Sequence, residues 1–102
     1  MSASLAPYRA AIGQLCATHR VRRLDLFGSA LGKDLPPASS DVDFLVEFAE
    51  LPPAEYTRHY FALREALASL LGRNVDLVVE RAVRNPYFLA AVRGSRELLF
   101  AA

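Results

Sequence analysis

Apolar residues recur at two different spacings along the chain. Leu5, Tyr8, Ile12, Leu15 and His19 fall at helical intervals with Ala11 and Cys16 beside them, which predicts an amphipathic helix over residues 4–19. Ser4 is its expected N-cap, and Pro7 suits a first turn. Residues 21–28 change to period two: Leu24 and Leu26 on one side, Asp25 and Phe27 on the other, which predicts a strand closed by Gly28-Ser29. Residues 30–40 have loop composition, with room for a short helical turn at 30–33. A second strand follows at 42–48, with Val42, Phe44, Val46 and Phe48 on one face. Asp41, Asp43, Leu45 and Glu47 occupy the other.

After the break at Pro52-Pro53, Tyr56, Tyr60, Leu63, Leu67 and Leu70 form a stripe, widened by Phe61 and Leu71. This predicts a second helix over 54–71 with Gly72 at its C′ position. Residues 75–79 read as a third strand, 86–92 as a short helix capped by Asn85, and 97–100 as a last strand. Tyr87 and Phe88 are expected in the core, with a partner surface as the alternative. The long helix between strands two and three permits a crossover to a parallel partner. The expected architecture is α/β (α+β): a small mixed sheet of about four strands with its helices mainly on one face. The other face is expected to be lightly covered, which leaves room for a homo- or hetero-oligomer.

The length of 102 residues fits a single domain over 1–102. Neither a membrane span nor a basic-plus-apolar leader is visible, so a cytoplasmic protein with no membrane partner is expected. The net charge of +1 gives no bulk attraction to DNA. Lys33 is the only lysine; every other basic side chain is arginine. Cys16, the one cysteine, reads as a small core residue. His19 reads as a helix-end residue, since nothing near it in sequence would complete a metal site.

The informative conflict lies in the strands. Asp41 and Asp43 project to the same side of strand two, only ~6–7 Å apart. Two like charges at that separation are unfavourable unless a cation sits between them. Asp76, between Val75 and Leu77, is a third carboxylate in an apolar strand. If strands two and three are neighbours, Asp43 and Asp76 can share a face. Convergent carboxylates suit Mg²⁺, and two such ions can clamp an in-line phosphoryl displacement. Gly28-Ser29 adds a turn whose backbone and hydroxyl can approach a phosphate. The chemistry these groups allow is nucleotidyl transfer from a nucleoside triphosphate.

Phe27-Gly28-Ser29, Ser40-Asp41-Val42-Asp43-Phe44-Leu45-Val46 and Asn74-Val75-Asp76-Leu77-Val78 together resemble the polymerase-β-type nucleotidyltransferases, and the chain's length resembles their minimal nucleotidyltransferase (MNT) group. The resemblance implies that Asp41 and Asp43 hold two Mg²⁺ ions. It implies that Asp76 holds the catalytic ion and orients or deprotonates the attacking hydroxyl, and that Gly28 and Ser29 hold the triphosphate of ATP. Many members carry an arginine after Gly-Ser; here the residues are Ala30-Leu31-Gly32-Lys33, which makes Lys33 the candidate for that charge. The resemblance further implies an antitoxin that transfers AMP (AMPylation) to a tyrosine of a HEPN-type toxin. Two alternatives stand beside it: a non-catalytic subunit that neutralises the toxin by binding, and an enzyme with a small-molecule or RNA acceptor.

Overall fold

The computed structural model describes residues 5–27, 41–82, 85–87, 90 and 96–102. A 3-10 turn at Ala6–Tyr8 leads into helix α1, Arg9–Thr18. Strands β1 (Val21–Phe27) and β2 (Val42–Phe48) follow, then helix α2 (Pro53–Leu71), strand β3 (Val75–Val79), a 3-10 turn at Glu80–Ala82, and strand β4 (Arg96–Ala101). The first helix is therefore shorter than its apolar pattern. Pro7 sits in the 3-10 turn, and Leu5 is fully buried ahead of it. The expected cap Ser4 lies outside the described residues, as do Gly28, Ser29, Lys33 and the rest of 28–40.

The sheet order is β3-β2-β1-β4. β2 pairs antiparallel with β1 and parallel with β3, and β1 pairs antiparallel with β4. The mixed four-stranded sheet and the crossover through α2 match the expectation. Leu24, Leu26, Phe44, Val46 and Phe48 form one apolar face, buried against Ile12 and Cys16 of α1 and Leu63, Leu67 and Leu71 of α2. Both helices thus lie on that face. Burial pushes the Cys16 thiol up to about 12, as befits an inert core residue.

Helix ends explain where the chain turns. Gly72 closes α2 at φ +67°, and its N–H reaches Ala68 O at 2.8 Å. At the end of α1 the left-handed position falls to Arg20, φ +62°, a conformation unfavourable for a residue with a Cβ. The aromatic residues differ from expectation in two places. Phe61 is 47% exposed and Tyr87 is 86% exposed, so neither belongs to the core. Asn85 does cap its turn, accepting from the Tyr87 N–H at 2.9 Å. Among the described residues no helix is long and apolar enough to cross a membrane.

The second sheet face is better covered than its sequence suggests. Leu45 is 1% exposed, and Asp25, beside it across β1 and β2, is fully buried. Arg23 Nε donates to Asp25 Oδ2 at 2.9 Å, and Arg96 donates to both Asp25 and Glu80. Arg96 thus ties β4 through β1 to the turn that follows β3. Burying a carboxylate is costly, and the two guanidinium partners of Asp25 offset that cost.

Candidate nucleotidyl-transfer site

One end of the sheet collects the site. The parallel register sets Val42 opposite Val75 and Asp43 opposite Asp76. The Val42 N–H donates to Asn74 O at 3.0 Å, locking that register at its first residue. Across the antiparallel pair Phe27 stands opposite Asp43, so β1 runs out beside the β2 carboxylates. Gly28 and Ser29, which follow Phe27 in sequence, lie outside the described residues. Tyr60 of α2 steadies β3: its hydroxyl donates to Leu77 O at 2.6 Å, one residue after Asp76.

Asp43 is partly buried, while Asp41 and Asp76 are exposed. Burial raises the Asp43 pKa above its ordinary value, and the charges of Asp76 and then Asp41 raise it further. Asp43 therefore feels both Asp76 across the parallel pair and Asp41 just ahead of its own strand. The three do not close into a cage: among the described residues no three acidic, imidazole or thiol groups gather tightly enough to hold a metal ion. As a donor set they suit a hard divalent cation. They are all carboxylate oxygens at one sheet end, and a cation would relieve the repulsion that Asp43 registers.

Cavities do not coincide with this chemistry by size. One of about 730 Å³ lies at the opposite end of the sheet among Arg20, Arg22, Glu47 and Arg81. Arg81 stands 4.0 Å from Glu47 there, an ordinary surface pair. A smaller cavity of about 290 Å³ adjoins the carboxylates and is lined by Asp41, Asn74, Val75, Ala68, Glu65 and Arg64. The charge cluster is the better guide, since an open surface hollow needs no function and paired carboxylates need a reason.

The sequence matches the nucleotidyltransferase domain family over residues 9–99. The chain belongs to the nucleotidyltransferases. As a nucleotidyltransferase it is an enzyme of group transfer, and its resemblance to the MNT group holds in three dimensions. A solved structure described as a minimal nucleotidyltransferase superposes with a TM-score of 0.75 at 33% identity, covering 94% of each chain. A protein of Methanocaldococcus jannaschii, provisionally named a protein adenylyltransferase, is 38% identical over 74 residues, 72% of this nucleotidyltransferase and 71% of that protein. A solved toxin–antitoxin structure with AMP-PNP matches at a TM-score of 0.70 and 25% identity, covering 92% of this chain and 73% of that one. Further toxin–antitoxin structures share the fold at lower identity, one an MNT antitoxin with an AMPylated HEPN toxin of Shewanella oneidensis.

Two groups escaped the sequence reading. Asp25 sits between Leu24 and Leu26. The argument that singled out Asp43 and Asp76, a carboxylate inside an apolar strand, applies to it equally. Its partner Arg96 is distant in sequence, and no spacing rule connects the two. Likewise His19 meets His59, Nδ1 to Nδ1 at 3.5 Å with the rings edge to face.

Proposed function

We propose that this nucleotidyltransferase transfers AMP from ATP, with Mg²⁺, to a hydroxyl of a protein partner, a tyrosine of a HEPN-type toxin, and so acts as its antitoxin. The observation that carries this reading is the register of Asp43 opposite Asp76 beside Asp41, in a chain of this family. The named activity of the M. jannaschii relative and the AMP-PNP in the toxin–antitoxin neighbour support it.

On this reading Asp41, Asp43 and Asp76 would hold the metal. When bound it supplies neutralising charge to the triphosphate and to the developing charge at the reacting phosphorus. The chain's own residues do the rest. Asp76, exposed at the sheet edge, accepts the proton of the incoming hydroxyl. The acceptor oxygen then bonds to the α-phosphorus, the bond from that phosphorus to the bridging oxygen breaks, and pyrophosphate leaves. Gly28, Ser29 and Lys33 hold the triphosphate. The exposure of Asp41 and Asp76 suits an acceptor delivered on another protein's surface.

The test is incubation of the purified chain with ATP, Mg²⁺ and a HEPN-type toxin from the same genome. The expected result is a mass gain of one or more adenylyl groups on that toxin, abolished by Asp41→Asn with Asp43→Asn. If the double variant still silences the toxin as well as wild type, neutralisation is by binding alone. If ATP is consumed with no protein acceptor present, the acceptor is a small molecule or RNA.

A further inference from the structure

A nucleoside triphosphate brings several negative charges to a sheet end that already holds Asp41, Asp43 and Asp76. Between Ser29 and Asp41 the sequence offers one cation, Lys33, and no arginine. Helix α2 supplies another. Arg64 lines the 290 Å³ cavity that also includes Asp41 and Asn74. Its guanidinium carbon lies 5.0 Å from the centroid of the Phe61 ring. Stacking of this kind fixes the plane of a guanidinium and leaves its N–H edges free to donate, which is how arginine grips phosphate. Phe61 is 47% exposed, so its ring is accessible as the platform for that guanidinium. Arg64 joins no ion pair among the described residues, although Glu65 and Asp41 line the same cavity. The Asn74 carbonyl is committed to Val42, but its exposed side chain adds two donors at the cavity wall. The cavity is too small for a whole nucleotide and large enough for a phosphate group or two.

We propose that Arg64, held on Phe61, binds a phosphate group of the nucleotide in the cavity beside Asp41. The assignment rests on the reading of the chain as an enzyme that uses a nucleoside triphosphate. It places a substrate-binding cation on the crossover helix, outside the Gly-Ser segment, and gives α2 a direct part in the site.

The test measures equilibrium binding of ATP, pyrophosphate and adenosine in Mg²⁺, together with KM and kcat, for wild type, Arg64→Gln, Arg64→Lys and Lys33→Ala. Thermal unfolding of each variant reports whether it remains folded. Arg64→Gln is expected to weaken ATP or pyrophosphate binding about tenfold or more and to leave adenosine unchanged. KM for ATP should rise more than kcat falls, and Arg64→Lys should recover part of the loss. Unchanged ATP binding in folded Arg64→Gln overturns the assignment. So does an equal loss for ATP and adenosine, or a loss carried wholly by Lys33→Ala. If wild type binds no nucleotide at all, the nucleotidyl-transfer reading falls with it. If wild type adenylylates its partner and Arg64→Gln does so with unchanged KM, the Arg64 assignment alone falls.

Discussion

Asp25 and Arg96 are joined across β1 and β4 inside the second sheet face, Asp25 fully buried and Arg96 partly so. Replacing Asp25 by Asn takes the buried carboxylate from Arg23 and Arg96 and leaves Arg96 with Glu80 alone. The expected cost is about 2–3 kcal/mol, read by chemical denaturation. Arg96→Met alone should cost a similar amount, and the double variant should recover a substantial part. A double-mutant cycle that finds no coupling would show the pair to be incidental.

Asp43→Asn should act in opposite directions on activity and stability. Its carboxyl holds its proton to higher pH in the folded chain than in the unfolded one, because of burial, Asp76 and Asp41. The folded state therefore binds more protons over that window, and this contribution to stability is lost as pH rises through the raised pKa. At pH 7 the Asn variant should unfold at a higher temperature than wild type, with the gap closing below about pH 4. Millimolar Mg²⁺ should raise the Tm of wild type and leave the variant unchanged. AMP transfer should fall by at least about a hundredfold.

His19 and His59 predict a second pH dependence, of opposite sign. Burial lowers the His19 pKa, and the charges of His59 and Arg58 lower it further. The folded chain thus binds fewer protons than the unfolded one below about 6.5. Stability should be at its full value above that pH and fall on acidification through the lowered pKa. Nδ1 atoms 3.5 Å apart have room for one proton between them, and a second sets two N–H groups against each other. Denaturation midpoints between pH 5 and 8 should show a shallower slope in His19→Gln than in wild type.

The link from α2 to β3 can be probed by two substitutions of different size. Tyr60→Phe removes the hydrogen bond to Leu77 O and should cost about 1 kcal/mol. Leu67→Ala opens the core beneath the same helix and should cost about 2–5 kcal/mol. If Tyr60 positions Asp76, its variant should lose more activity than the slight loss of folded population explains.

Backbone conformation gives a prediction of the opposite sense. Arg20 and Gly72 both hold positive-φ positions, Gly72 directly after α2 and Arg20 two residues after α1. Arg20→Gly should stabilise by up to about 1 kcal/mol, and Gly72→Ala should destabilise by about as much. Thermal unfolding of the two variants, side by side, distinguishes backbone strain from any use of the Arg20 side chain.

The fold was legible because its signals are local. Alternation in Val42–Phe48 gives a two-faced strand, and Gly72 after a helical stripe gives a helix end; neither needs a distant partner to be interpreted. The pairing of Asp43 with Asp76 was legible as a condition, that β2 and β3 be neighbours, which the register supplies. What escaped depends on side chains that meet from distant segments. Arg96 with Asp25 and Glu80, His19 with His59, and Arg64 beside Asp41 leave no periodic trace. Phe61 was assigned to the core because hydrophobicity alone does not separate a ring that packs inward from one that carries an arginine.

Among the described residues β3 has a strand neighbour on one side only. It carries Asp76 and reaches β2 through the long α2 crossover. An edge strand is held by a single ladder, so its contacts can open without breaking the rest of the sheet. Detachment of β3 would separate Asp76 from Asp43 while β1, β2 and β4 stay paired. Catalytic competence should then melt below the temperature at which the sheet itself unfolds, and amide exchange in Val75–Val79 should outpace that in β1.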